Sequence, residues 1–139
     1  MQLLSTLPIT TAISPAAVTA SVVLGYEPRN LLAQADFIYG SGGATVSAWL
    51  QTSLDGGVTW TDIVCFGFTT VSARKAVNLS SLTPITIPVG LTDGAMALNT
   101  AQDGLLSPLL RLKYTSTGTY VGTSLRVDLA SEDLAANPA

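Results

Sequence analysis

Short runs of β-branched residues, interrupted every few positions by glycine or proline, are the feature of this chain that most constrains its fold. Helix-period patterns are poor, whereas stretches such as residues 44–52 alternate apolar and polar positions. In that stretch Val46, Ala48 and Leu50 share one face, and Trp49 lies on the other. Eight such runs predict an all-β fold, a single β-sandwich or jelly-roll-like domain of about eight short antiparallel strands.

Turn residues set the limits of the predicted strands. The strands cover residues 17–24, 30–39, 44–52, 59–68, 72–79, 83–89, 108–115 and 120–129. The sixth carries Pro84 and Pro88, which favours a sheet edge because proline has no N–H to donate. Residues 116–118 predict a tight hairpin loop. Residues 90–107 form a long connection in which we consider a short helical turn near residues 95–98, and connections of that length are often functional.

The length of 139 residues predicts one domain. Residues 1–16 are apolar but broken by Pro8 and Pro15, so we expect an extended N-terminal arm or an edge strand. Residues 17–130 are assigned to the β-sandwich domain. Residues 131–139 are expected to form a C-terminal tail.

The chain has few of the side chains that catalysis uses. It has no histidine and one cysteine, Cys65, which excludes Ser–His and Cys–His nucleophiles, an internal disulfide and a multi-cysteine zinc site. Paired acid–base carboxylates would have to come from Asp55, Asp62, Asp93 and Asp103, but their spacing places no two across a cleft. We therefore expect a protein that is not an enzyme, with no cofactor and no small-molecule substrate.

The charge of the chain limits the kinds of partner that it can bind. Six Lys+Arg against nine Asp+Glu give a net charge of −3, without the basic cluster that nucleic acid requires. No run of about 20 apolar residues predicts a membrane span, and the first residues lack the basic start of a signal peptide. The hydrophobic fraction is 47% and the charged fraction only 11%, which favours apolar surface covered by a protein partner. A neutral, threonine-rich soluble domain is the alternative.

One local motif has the pattern Ser-x-Asp-x-Gly-x-Thr-Trp. Its residues are Ser53, Asp55, Gly57, Thr59 and Trp60. It resembles the Asp-box hairpin of sialidase-like propellers, which in that family is structural and lies away from the catalytic site. A propeller needs several blades, and this chain has one box. The motif therefore predicts a stable β-hairpin between the third and fourth strands.

Two binding functions remain to be weighed. Asp93, Asn99 and Asp103 offer oxygen ligands of the kind calcium takes, but their spacing fits no compact calcium loop, so no metal is expected. Aromatic side chains could stack on a sugar, and Trp49 is of interest because it shares a face with Thr and Ser. The aromatic candidates are Tyr26, Tyr39, Trp49, Trp60, Tyr114 and Tyr120.

From Ala48 to about Val127 the chain resembles a group of small virion proteins of tailed phages and prophages. The segments that carry the resemblance are AWLQTSLDGGVTW (48–60), FGFTT (66–70), LTDG (91–94), NTAQDG (99–104) and LRLKYTSTGTY (110–120). They cover a little over half of the chain. Such proteins resemble capsid-associated accessory proteins, which are small β-sandwiches that sit on the head shell.

The resemblance implies a head decoration, or cement, protein that stabilises the capsid. It would bind the outer face of the major capsid protein, self-associate as a trimer, and be located on the virion after assembly in the host bacterial cytoplasm. We expect the partner contacts to come from the arm and the long connection. The candidate contact residues are Leu3, Leu4, Leu7, Ile9, Ile13, Leu91, Met96, Leu98, Leu105 and Leu106. A tail or neck β-domain is the first alternative, and a carbohydrate-binding module is the second.

Overall fold

The computed structural model describes residues 2–19, 21–24 and 28–131. This part of the chain contains no helix and forms twelve strands, so the predicted all-β, sandwich-like fold is confirmed. The strands are β1 (Gln2–Ile9), β2 (Ile13–Val18), β3 (Val22–Val23), β4 (Asn30–Ile38), β5 (Ser41–Gly42), β6 (Thr45–Thr52), β7 (Thr61–Phe68), β8 (Ala73–Ser80), β9 (Thr100–Ala101), β10 (Leu109–Thr117), β11 (Tyr120–Val121) and β12 (Thr123–Ser131).

Two antiparallel sheets make up the sandwich. The first sheet has the order β1-β12-β4-β8, and the second has the order β2-β10-β6-β7-β9. Strand β3 also pairs with β10, and β5 and β11 form a small separate ribbon. Because neighbouring strands along the chain often lie in different sheets, the turns between them cross from one sheet to the other at the ends of the sandwich.

The core lies between the sheets because each contributes an alternating apolar face. In β4 the residues Leu31, Ala33, Ala35 and Phe37 are all fully buried. The Phe37 ring stacks on Phe68 of β7 at 4.9 Å between ring centroids, so this pair joins the two sheets.

The buried ring of Tyr120 extends this aromatic contact. It meets Phe37 edge-on at 6.0 Å between centroids, and its hydroxyl donates a hydrogen bond to the carbonyl oxygen of Thr69. The polar end of the ring is therefore satisfied, and burial raises the pKa of Tyr120 above its usual value.

The N-terminal segment is extended and belongs to both sheets. Strand β1 is the edge of the first sheet and pairs with β12, and β2 is the edge of the second sheet and pairs with β10. Residues 10–12 connect the two edges. Ile9 at the end of β1 is fully buried in the core. The segment thus lies on its own domain as two edge strands.

Three strand predictions differ from the structure. Residues 83–89 form no strand, because two prolines four residues apart remove the donors that a ladder needs. The predicted strand 17–24 is divided between the end of β2 and the short β3, which pair with successive parts of β10. The predicted strand 120–129 is divided at Gly122 between β11, which pairs with β5, and β12. The hairpin predicted at 116–118 is wrong, because β10 and β12 belong to different sheets and do not pair. Residues 132–139 of the predicted tail lie outside the described residues.

Candidate functional site

The long connection between β8 and β10 lies against the outer face of the second sheet. Trp49 and Cys65 are register partners on β6 and β7, and both point away from the core. They are nevertheless buried, with Trp49 only 8% exposed. The indole Nε1 of Trp49 donates to the carbonyl oxygen of Met96 at 3.0 Å, and the backbone N–H of Asn99 donates to the carbonyl oxygen of Cys65 at 2.8 Å. The connection therefore covers this face.

Asp62 fixes the connection to β7. This side chain is 2% exposed, and its carboxylate accepts hydrogen bonds from the backbone N–H groups of Gly94, Ala95 and Met96 and from the hydroxyl of Thr92. Successive backbone N–H groups converge on one anion in this arrangement, so residues 94–96 form an anion nest rather than the helical turn considered near residues 95–98. Burial acts to raise the pKa of Asp62, but these hydrogen bonds and one from Gln51 outweigh it and lower the pKa.

A polar network extends from Asp62 along the outer face. The amide Nε2 of Gln51 donates to Oδ1 of Asp62 and to Oδ1 of Asp93, and the guanidinium of Arg111 donates to Oε1 of Gln51. Lys113 Nζ lies 3.0 Å from Oδ1 of Asp93. The network contains two carboxylates and two cations, Arg111 and Lys113, so its charges balance. The two buried members, Gln51 and Asp62, are both paired, and a buried polar group that is paired in this way stabilises the fold.

Two further anchors hold the end of the connection. Asp103 accepts hydrogen bonds from the backbone N–H of Ser80 and the hydroxyl of Thr83, and the first of these contributes most to lowering its pKa. Asn99 has a left-handed backbone with φ of 58°, and its Oδ1 accepts from the N–H of Gly67 and from Lys75 Nζ. Asparagine tolerates that conformation better than most residues.

The first half of the connection is different. Five large apolar side chains between residues 82 and 98 are exposed. Four of them lie in the first half of the connection, Leu82, Ile87, Val89 and Leu91, and the fifth, Leu98, lies in the second half. Leu82 is 70% exposed and Ile87 78%. Within the described part of the chain, no hydrogen bond joins the backbone of residues 84–91 to another group. We call residues 82–91 the open segment. They present apolar side chains to solvent and, over residues 84–91, unpaired backbone groups as well.

The predicted contact residues divide into exposed and buried positions. Leu91 and Leu98 are exposed, and Leu7, Ile13, Met96 and Leu105 are half-buried. Leu3 and Leu4 lie on β1. The prediction was wrong for Ile9 and Leu106, because both are buried in the hydrophobic core and a folded domain cannot present them to a partner. Sequence reasoning also missed Leu82 and Ile87, whose proline neighbours were the available signal.

The Asp-box motif lies in the connection from β6 to β7. The hydroxyl of Ser53 accepts from the N–H of Gly57 and donates to Oδ1 of Asp55. The N–H and hydroxyl of Thr59 donate to the two carboxylate oxygens of Asp55. The hydroxyl of Thr59 contributes most to lowering the pKa of Asp55 to about 2. The motif thus closes its own turn, while Trp60 stacks under the guanidinium of Arg111, 4.4 Å from the ring centroid.

The other candidate sites have structural partners. Asp93, Asn99 and Asp103, the oxygen ligands considered for calcium, bond to Lys113, Gly67 and Ser80 respectively and so serve three separate places. Among the described residues no group of three or more His, Cys, Asp or Glu side chains is arranged to hold a metal ion. The buried Cys65 is a free thiol, and burial raises its pKa to about 11. Trp49 is covered by the connection and offers no sugar platform, and Tyr26 lies outside the described residues.

A shallow depression of about 190 Å³ lies where the Asp-box hairpin meets the connection. Trp60, Thr61, Leu91 and Asp93 are among its lining residues. Thr61 is buried, and its hydroxyl has no hydrogen-bond partner within the part of the chain that the structure covers.

Comparison with family models, with curated proteins and with solved structures gave no match. No membrane-spanning helix is present in residues 2–19, 21–24 and 28–131.

Proposed function

We propose that this domain is a non-enzymatic structural protein of a virion, a decoration protein that binds the major capsid protein and stabilises the head shell. Its location would be the capsid surface, after assembly in the host bacterial cytoplasm. The virion role comes from the resemblance carried by residues 48–60, 66–70, 91–94, 99–104 and 110–120. The observation that favours a binding role is the open segment, with its exposed apolar side chains and unpaired backbone.

The open segment suits contact with another protein for two reasons. Exposed Leu82, Ile87, Val89 and Leu91 lie within ten residues of one another, which is dense for the surface of an isolated domain. Ile85, Thr86 and Ile87 retain backbone N–H groups between the two prolines. Free backbone donors and acceptors between the prolines can hydrogen-bond to a partner, and the apolar side chains add contact area beside them.

The acidic side chains on which hydrolytic chemistry would depend have structural contacts. Asp55 closes the Asp-box hairpin, Asp62 and Asp93 hold the connection, and Asp103 ties it to the end of β8. The geometry of these carboxylates is therefore explained by folding, and this favours a binding role over a catalytic one.

The stabilising mechanism follows from linkage. A protein that binds the assembled shell and has no affinity for free subunits shifts the equilibrium toward the shell by mass action. We propose that copies of this domain also associate with each other, as a trimer, so that each assembly contacts several capsid subunits at a symmetry axis.

The test is co-sedimentation of the purified protein with capsid shells assembled without it, followed by electron microscopy of the pellet. We expect saturable binding that Ile87→Asp weakens at least tenfold, because a charge at the contact must be desolvated. Val58→Asp is the matched control, since Val58 is 81% exposed and lies in a loop outside the open segment. Failure of the parent protein to bind shells would contradict the proposal.

The number of copies per particle separates the decoration role from a tail or neck role. A decoration protein occurs at every equivalent site of the shell, whereas a tail part follows the rotational symmetry of the tail and occurs in few copies. Quantitative gel densitometry against the major capsid protein measures this ratio. Sedimentation equilibrium of the free protein tests self-association, and a monomer at all concentrations would contradict the trimer.

A further inference from the structure

We infer that the depression between the Asp-box hairpin and the long connection is a binding site for one neutral sugar ring. This site shares Leu91 with the open segment and does not depend on the virion role. The site consists of an aromatic ring, an unengaged carboxylate oxygen, threonine hydroxyls and two leucines around about 190 Å³ of space. The lining residues that carry the argument are Leu54, Trp60, Leu91, Thr92 and Asp93.

Trp60 provides the platform. Arg111 covers one face of its ring but is not part of the lining of the depression, so the ring presents its other face or its edge there. Trp60 is half-buried and directly precedes β7. An indole combines an apolar face with a polar N–H, which suits a ring that carries C–H groups on its faces and hydroxyls around its edge.

Asp93 provides an acceptor that the fold leaves open. Gln51, Lys113 and Arg111 all approach the same oxygen, Oδ1. In the part of the chain that is described, no group donates to the other oxygen, Oδ2, and the side chain is half-exposed. A carboxylate oxygen held in place by two cations is a well-oriented acceptor for a ligand hydroxyl.

Thr61 lies beside the depression but points to the other face of the sheet. Its register partner Thr52 and, on the next strand, Leu110 place its side chain on the core side, opposite Gln51, Asp62 and Arg111. Its hydroxyl is buried and has no partner among the described residues, so a ligand in the depression does not contact it.

Charge and size identify the class of ligand. The two carboxylates of the network, Asp62 and Asp93, are balanced by Arg111 and Lys113, so the site attracts neither anions nor cations by net charge. The volume is below the range of pockets that hold drug-sized ligands, and this limits the ligand to about one ring. Few contacts at a shallow site give weak binding, with a Kd on the order of 1 mM.

The two tryptophans make the test internally controlled. Indole N–H signals of the ¹⁵N-labelled protein are followed during titration with the methyl glycosides of glucose, galactose and mannose and with N-acetylglucosamine. We expect at least one sugar to move the Trp60 signal saturably. The Trp49 signal should stay in place, because its N–H is bonded to Met96 under the connection.

Two conservative variants test the roles of the polar groups. Asp93→Asn is expected to weaken sugar binding at least threefold, measured on backbone amide signals near the site, whereas Thr61→Val should leave the affinity unchanged because its hydroxyl faces the core. Thr61→Val should also raise the melting temperature, because it replaces an unpaired buried hydroxyl by a methyl group. Val71→Ala, a change at an exposed position away from the depression, is the control and should leave the affinity unchanged.

The outcomes that would overturn the site are equally specific. No sugar moving the Trp60 signal would do so, as would equal movement of both indole signals or an affinity that Asp93→Asn leaves unchanged. Movement of Trp60 by a proline-rich peptide in place of any sugar would assign the depression to a protein partner and would also overturn the inference.

Discussion

The two halves of the connection between β8 and β10 have opposite properties, although they are continuous in sequence. Residues 92–104 are bonded to the sandwich by Asp62, Asn99 and Asp103 and by pairing of β9 with β7. Residues 84–91, in the open segment, make no backbone hydrogen bond within the described part of the chain. Residues 92–104 stay close to the sheet because hydrogen bonds from polar side chains take the place of a strand ladder. Residues 84–91 stay exposed because they have neither a ladder nor such hydrogen bonds within the described part of the chain.

The comparison separates stability from recognition within one loop. An anchored stretch must repay its conformational entropy by contacts in its own domain. An unpaired apolar stretch leaves its contacts to be made elsewhere, and such stretches are where binding residues concentrate. The connection can therefore present the open segment at a fixed place because its second half is immobilised on β7.

The largest expected effect is at the anchor. Asp62→Ala removes the acceptor for three backbone N–H groups and two side chains, so we expect a loss of about 3 kcal/mol in the free energy of unfolding. Urea denaturation measures it. Asp36→Ala, at a partly exposed carboxylate on the outer face of the first sheet, is the control and should change stability by less than about 0.5 kcal/mol. Equal effects of the two substitutions would contradict the anchoring role.

A smaller effect is expected at Asn99. Asn99→Ala removes the acceptor for Gly67 and Lys75 and places a residue with a Cβ and no local polar group at φ of 58°. We expect a cost of about 1–2 kcal/mol in the free energy of unfolding. Asn99→Asp keeps the acceptor and the tolerance for this backbone conformation, so it should retain most of the stability. If aspartate proved as costly as alanine, the hydrogen bonds would not be the reason.

Acid should weaken the fold through the same carboxylates. The pKa of Asp55 falls from 3.8 to about 2 in the folded protein, and those of Asp62 and Asp103 are also lowered. The unfolded chain therefore binds more protons than the folded one as the pH drops. The stabilisation is complete above about pH 4 and is lost as the pH falls toward 2. Melting temperature against pH checks this, and Asp55→Asn should make the decline shallower than in the parent protein.

Much of the fold was predictable from local pattern. The alternation of Val46, Ala48 and Leu50 and the turn chemistry of the Asp-box specify β6, the hairpin and β7 without any distant partner. The pairing of strands within each sheet was harder to predict from the sequence, because the partner of an edge strand lies far away along the chain. The edge strands β1 and β2 show this, since their partners β12 and β10 lie about a hundred residues away.

The site was predictable only in outline. The long connection could be recognised by its length, but its division into an anchored and an open half depends on Asp62, which lies about thirty residues before the groups it binds. Ile9 and Leu106 look like contact residues in the sequence because apolar character alone does not distinguish a core position from an exposed one. Trp49 was placed correctly on the polar face, but its cover comes from a loop that periodicity does not locate.

Amide hydrogen exchange gives the comparison its sharpest form, with no change in the sequence. The N–H groups of Gly94, Ala95, Met96 and Asn99 are bonded to β7, so their exchange should be slowed toward the rate set by opening of the domain. Those of Ile85, Thr86, Ile87 and Val89 are unpaired and should exchange at nearly the rate of a free peptide. Binding to capsid shells should then slow exchange in the second group and leave the first group unchanged. Slow exchange throughout the free protein would show that the open segment is not open, and protection confined to the anchored half on binding would place the partner elsewhere.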